Sequence, residues 1–374
     1  MHSRIRSLSL RTLVSRGPSV RGWVLLLLGL FLAGVAAGCA TRVAPGWPGI
    51  AQDEERLYVS GDSTVVALDP ETGQALWTFP EEGKPLFTAP ARVVPLGGGQ
   101  VLVGDQQGTL YSLDPATGQA RWTLESTEHP FIAGVTYSED TLFAPNSNGT
   151  LYALTPDGQV RWTFTAGGPL WADAPVAQGR LYAASMDHYL YALEAATGRL
   201  LWKQNLNAAI GAGPLATEDA LFVPTYGAGL YTLAPDTGDI LWQAAQEAWL
   251  WHTPTQGEAV YVGTMDGLLL SLDPRTGETL WKKVLDGAIV ARPTWDGDTN
   301  TLYVVTEGGT LWALKADSGD VQWSKQDEAW EKKLYTAPAL GQGRLYLVIH
   351  TSPPQVLGLD PETGQVMWTY LGKK

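Results

Sequence analysis

Past residue 38 the chain holds four histidines, His129, His188, His252 and His350, each in a different stretch and with no HExxH or paired spacing. A zinc site needs clustered His, Cys or carboxylate ligands, so these histidines read as loop residues. Asp105, Asn146, Asn148, Asp187 and Asp266 offer oxygen atoms but do not form the ligand ladder of a calcium loop. A GxSxG elbow is absent, and "PLGGGQV" and "VTEGGTL" fit neither GxxxxGK[ST] nor the opening of a helix. Spacing alone leaves open a Ser-His-Asp triad assembled from distant segments. No catalytic residue and no metal ligand is assigned.

The elements around these residues follow one repeated phrase, Ala-Leu-Asp-x-x-Thr-Gly-x-x-x-Trp, first seen as "ALDPETGQALW". Its glycines are Gly73, Gly118, Gly158, Gly198, Gly238, Gly277, Gly319 and Gly364, and four places after each stands Trp77, Trp122, Trp162, Trp202, Trp242, Trp281, Trp323 or Trp368. Within the phrase, proline presets a turn, aspartate accepts backbone bonds and glycine supplies positive φ. Apolar runs on both sides make it a hairpin. Each copy adds an upstream strand such as "RLYAAS" and, before that, a proline-marked segment such as "DAPVAQ". A four-stranded unit of about 40 residues is the blade of a propeller. The third strand, as in "GTLYALT", is apolar on both faces, which suits a sheet covered on both sides. Fold class is therefore all-β, an eight-bladed β-propeller of four-stranded antiparallel blades over 47–374. The eight tryptophans are expected to be structural, buried between neighbouring blades.

These motifs resemble the repeat of the pyrroloquinoline-quinone (PQQ) propellers, over roughly residues 47–370. That family holds quinoprotein dehydrogenases and cofactor-free relatives, among them the BamB-type lipoproteins of outer-membrane β-barrel assembly. In the dehydrogenases PQQ lies between a tryptophan and a disulfide of adjacent cysteines, above a calcium ion. This chain has a single cysteine and no long insertion between units. The resemblance thus implies the branch without PQQ, with no cofactor and no enzymatic activity. Its implied partners are envelope proteins, including β-barrel assembly components, bound by a monomeric propeller.

Residues 1–38 carry Arg4, Arg6, Arg11, Arg16 and Arg21, no acidic residue, and then the apolar run "GWVLLLLGLFLAGVAAGCA". A basic start, a short apolar core and small residues describe an export signal; an uncleaved anchor is the other reading of the run. Cys39 ends it in "AAGC", which resembles a bacterial lipobox with Ala36 where leucine is usual. Lipidation at Cys39 is expected, followed by a tether over 39–46. Localisation is then the cell envelope: the periplasmic face of an outer membrane, or the outer face of the cell membrane where there is only one. Full-length charge is −13, and beyond residue 38 it is −18, with 20 basic and 38 acidic residues. Such a charge argues against nucleic acid and against an anionic lipid surface.

Recognition, rather than catalysis, has residues of its own. In a propeller the first strand of each blade lines the central channel, and the segment before it enters at one face. Large side chains recur there: Phe87, Phe131, Trp171, Ile210, Trp251 and Tyr335. The turns after the second strands, with Asp187, His188 and Tyr226, should collect on the same face. Phe87, Phe131, Trp171, Trp251, Tyr335, Asp187, His188 and Tyr226 are therefore a candidate partner-binding rim, for a peptide, strand or glycan. Alternatively, they plug the channel.

Overall fold

A computed structural model describes residues 49–61, 63–80, 85–126, 129–351 and 353–372. The segments read as an export signal and a tether, with Cys39, lie outside them. Among the described residues, 32 strands form eight four-stranded antiparallel sheets, each built from four consecutive strands. The first blade runs from β1 (Ile50–Gln52) through β2 (Leu57–Gly61) and β3 (Thr64–Leu68) to β4 (Ala75–Phe79). The eighth runs from β29 (Ala339–Gly341) through β30 (Arg344–Ile349) and β31 (Gln355–Leu359) to β32 (Val366–Leu371). A 3₁₀ turn, Glu328–Trp330, interrupts the connection before the eighth blade.

Burial follows position in the blade. β2 is buried throughout and β3 nearly so, while β4 alternates exposed and half-buried residues. Two faces of each inner strand meet neighbouring blades, which explains their near-continuous apolar sequence. In every blade the pairing of third and fourth strands slips by one residue near the turn, as between Ala67 and Leu68. Such a bulge increases local twist, and the outer strand is the one that must splay most.

The repeated tryptophans correct the sequence expectation. Trp77, Trp122, Trp162, Trp202, Trp242, Trp281, Trp323 and Trp368 are half-buried, not buried. Most of the fully buried aromatic side chains come from the second strands instead: Tyr58, Tyr182, Tyr261, Tyr303, Tyr346, Phe143 and Phe222. Each tryptophan except Trp122, whose blade carries Leu102 there, packs near its own blade's Tyr or Phe, as in Tyr182–Trp202 with ring centroids 6.0 Å apart. It then reaches across to the turn of the next blade. Trp77 donates from Nε1 to the Pro115 carbonyl at 2.9 Å, Trp202 to Pro235 at 3.1 Å and Trp281 to Ala316 at 3.0 Å.

The turn glycine is shaped by the same contact. Gly118 sits at φ +73°, and a Cβ there would lie 2.5 Å from Trp77 Cε3. One residue thus meets two demands, a left-handed backbone and room for an indole. Ring closure repeats the rule without sharing strands between first and last blades: Trp368 packs on Gly73 and donates to the Pro70 carbonyl at 3.1 Å. Leu57, Val59, Val66 and Leu68 join Tyr346, Val348 and Val356 in one core cluster across that seam.

Candidate functional site

Each segment that leads into a blade is stitched between two turns. Leu250 N–H donates to Thr225 O in the preceding blade at 3.2 Å, and Met265 N–H of its own blade donates to Trp249 O at 3.1 Å. The same pair of bonds recurs at Ile210, with Ser185 O and through Tyr226 N–H to Ala209 O. These bonds put Phe87, Phe131, Leu170, Ile210, Leu250, Ile289 and Leu334 at one equivalent position, all at most 1% exposed.

Phe87 and Phe131 are therefore corrections. Both are 1% exposed and belong to core clusters, Phe87 against Tyr111 and Phe131 against Tyr152. Counting back from the marker proline had merged two positions, one turned into the core and the next one not. Trp171, Trp251 and Tyr335 stand one place further on and are half-buried. Asp187 is committed locally: it accepts from Tyr189 N–H at 3.1 Å and from the Tyr191 hydroxyl at 2.5 Å. His188 is exposed at φ +77° in the same turn.

The structure brings together Tyr226 and Trp251, and joins to them Trp249, which sequence reasoning missed. Tyr226 is stacked on both indoles with centroids 5.0 Å away and planes within 11°. Trp249 and Trp251 are themselves 6.1 Å apart and parallel to 8°. Gly211 is the equivalent of Trp171 and Trp251 in the fifth blade, and a Cβ there would lie 2.0 Å from the Tyr226 hydroxyl. Absence of a side chain at Gly211 is what seats the stack. The alternation in "AWLWHTP" was the signal available for Trp249. Burial raises the Tyr226 phenol above its usual range, so it stays a neutral donor.

Tyr335 makes a second small cluster. Its ring meets His350 edge-on at 5.0 Å, and His350 Nε2 lies 2.9 Å from Thr336 Oγ1. Burial lowers the His350 pKa to about 4. His252, next to Trp251, holds its neutral form by accepting from Gly263 N–H at Nε2, 3.1 Å, with Nδ1 2.9 Å from Thr253 O. Burial is the main cause of its pKa of about 4, and the Arg292 charge adds to it.

The residues do not fit PQQ or calcium as the dehydrogenases hold them. Cys39 is the only cysteine, so no disulfide of adjacent cysteines can form. Asp105 caps its own turn, accepting from Thr109 N–H at 2.8 Å and Tyr111 Oη at 3.0 Å. Asn146 is likewise spent on Asn148 N–H, Ser126 Oγ and His129 O. Asp266 accepts from Thr264 Oγ1. Among the described residues no group of three or more His, Cys, Asp or Glu could hold a metal ion.

Fold and mouth together define a PQQ-repeat propeller whose departures from the repeat gather where segments enter the channel. The chain belongs to the PQQ_2 family, described as outer membrane protein assembly factor BamB, whose model matches residues 40–134, 147–248 and 235–372. It is 26% identical to the outer membrane protein assembly factor BamB of Yersinia pestis, over 83% of this chain and 71% of that protein. The crystal structure of BamB from Moraxella catarrhalis superposes with a TM-score of 0.67 at 20% identity, covering 83% of this chain and 94% of that one. Quinohemoprotein alcohol dehydrogenase from Comamonas testosteroni superposes at 0.68 with 14% identity, covering 87% and 75%. At such identities both structures show the fold alone.

Proposed function

We propose that this protein is a non-catalytic, monomeric scaffold of outer-membrane protein assembly, anchored by a lipid on Cys39, whose aromatic mouth docks a β-barrel assembly component. Family membership supports the task, and the stacked Tyr226, Trp249 and Trp251 carry the choice of face. These parallel rings lie outside the repeated glycine–indole contact by which the outer tryptophans join blade to blade. Large aromatic side chains in a desolvated centre dominate binding energies. Trp171 and Tyr335 extend the surface, with Asp187 and His188 at its edge. Crosslinked capture of assembly components from intact cells tests it. Trp251→Ala and Trp171→Ala should each weaken capture about thirtyfold, roughly 2 kcal/mol, with the fold retained. Melting temperatures that collapse while the surviving folded protein still captures would instead mean a channel plug. Parallel rings also suit a sugar face, and a glycan array that retains the wild type but not Trp251→Ala would favour that second reading.

Anchoring has its own measurement. Cys39→Ser should abolish lipid labelling and move the protein from the membrane fraction to the soluble one; unchanged retention would speak for an uncleaved apolar anchor.

A further inference from the structure

Three places past the buried anchor, the equivalent positions carry Pro90, Gly134, Asp173, Gly213, Thr253, Arg292 and Ala337. Most are small, as the neck of a closed ring requires. Asp173 and Arg292 are the two charged exceptions. The Arg92 guanidinium, from the second blade, pairs with Asp173, which also accepts from Gly134 N–H at 2.6 Å. Arg92 and Asp173 therefore neutralise each other. Arg292 does not share in this. It donates from Nε to Thr255 Oγ1 at 3.1 Å, and among the described residues it forms no ion pair.

We propose that the channel neck is a carboxylate-binding site centred on Arg292, the cation that the Arg92–Asp173 pair leaves unmatched. A guanidinium offers two parallel donors that match a carboxylate, and its Nη groups are the unused pair here. Arg292 is solvent-exposed although it lies among the channel-lining segments. Surrounding protein lowers its pKa first, and the like charge of Arg92 lowers it further, against only partial relief from Asp173. An arriving anion relieves both effects. Glycines keep the neck open: a Cβ on Gly134 would lie 2.5 Å from Arg92 Nε and 3.0 Å from Asp173 Oδ1. A chain of net charge −13 that keeps a surplus cation in its channel has selected against its own field there. The aromatic mouth and this neck are separable, so the site stands whether or not the mouth docks an assembly component.

The carboxylate could be a free dicarboxylate or an acidic side chain delivered on a peptide. Thermal unfolding of the full protein should be followed against succinate, against an N-acetylated tetraglutamate peptide, and against sodium chloride of matched ionic strength. Succinate or the peptide should raise the melting temperature saturably, by about 2–4 °C near ten times the dissociation constant. A rise with the peptide alone would identify a chain-borne carboxylate, and a rise with both a free one. Arg292→Gln should abolish the rise and, without ligand, melt no lower than wild type, because the like-charge repulsion from Arg92 is gone. Arg121→Gln, on an outer strand and paired with Asp114, should leave the rise intact. An equal rise in Arg292→Gln, an equal rise with chloride, or no rise with either carboxylate would overturn the proposal.

Discussion

The outer belt and the channel mouth use the same residue type in opposite ways. At the belt, tryptophan recurs at one position in all eight blades and touches a glycine turn next door. At the mouth, the position after the buried anchor reads Thr88, Ile132, Trp171, Gly211, Trp251, Val290 and Tyr335, with no two neighbours alike. A belt residue is fixed by the blade interface, which is the same problem solved eight times. Mouth residues face no such common demand, and their variety is what the proposed docking role would leave. Tyr226 lies over Gly211 as Trp77 lies over Gly118, yet only the second contact repeats.

Acid should separate the two regions, and this is the largest effect expected. His252 and His350 sit at the mouth with pKa values near 4, held down by burial. Their ordinary value is about 6.5, so the folded state disfavours the protonated ring. Stability they provide is complete above about pH 6.5 and declines as pH falls from there to about 4. For the buried His252 the loss approaches roughly 3 kcal/mol as an upper bound. Belt carboxylates respond later. Asp114 is held near 2 chiefly by the Arg121 hydrogen bond, and Thr72 and Thr363 hydroxyls lower Asp69 and Asp360. Their contribution is lost only as pH falls below about 4 toward those depressed values. Denaturant midpoints from pH 7.5 to 4.5 should fall for wild type and fall less for His252→Gln. A flat profile over that range would break the distinction.

Truncation gives the next contrast. Trp202→Ala removes a half-buried indole and its bond to Pro235, and should destabilise by about 2–3 kcal/mol, below the range for a fully buried tryptophan. Trp251→Ala loses its ring contacts with Tyr226 and Trp249, about 1–2 kcal/mol together. Equilibrium unfolding of both decides the order, and a reversed order would move the anchors from belt to mouth.

The eight blades were legible because Gly-x-x-x-Trp encodes a turn and an interface that a closed ring must repeat. How that interface is made was not legible. A tryptophan is half-buried because its partner is a turn one blade on, a contact of the assembled ring rather than of the phrase. The mouth was readable as a face but not residue by residue. Phe87 looked like Trp171 because proline spacing differs by one or two residues among blades, and only the backbone bonds fix which position enters the core. Gly211 could not be noticed at all, since its part is to leave room.

The smallest effect tests the belt at single-bond resolution. Trp202 Nε1 donates to the Pro235 carbonyl, and so does the Tyr182 hydroxyl at 3.3 Å. Trp162 packs on Gly198 in the same manner, but its Nε1 is buried without a hydrogen-bond partner. The turn there reads "LEAATG", with Ala195 where a proline usually stands, but alanine alone is not the cause, since Ala316 at the same position accepts from Trp281 at 3.0 Å. Replacing each indole by phenylalanine removes similar ring area at both places but a hydrogen bond at only one. At Trp202 the lost bond should add about 1 kcal/mol to the packing loss. At Trp162 the substitution deletes an unsatisfied donor, which offsets part of the loss, since such a buried group costs about 1–3 kcal/mol. Trp202→Phe should therefore be the more destabilising of the two by about 1 kcal/mol or more in matched unfolding curves. Equal losses would mean that indole packing on the turn glycine, and not the carbonyl bond, locks one blade to the next.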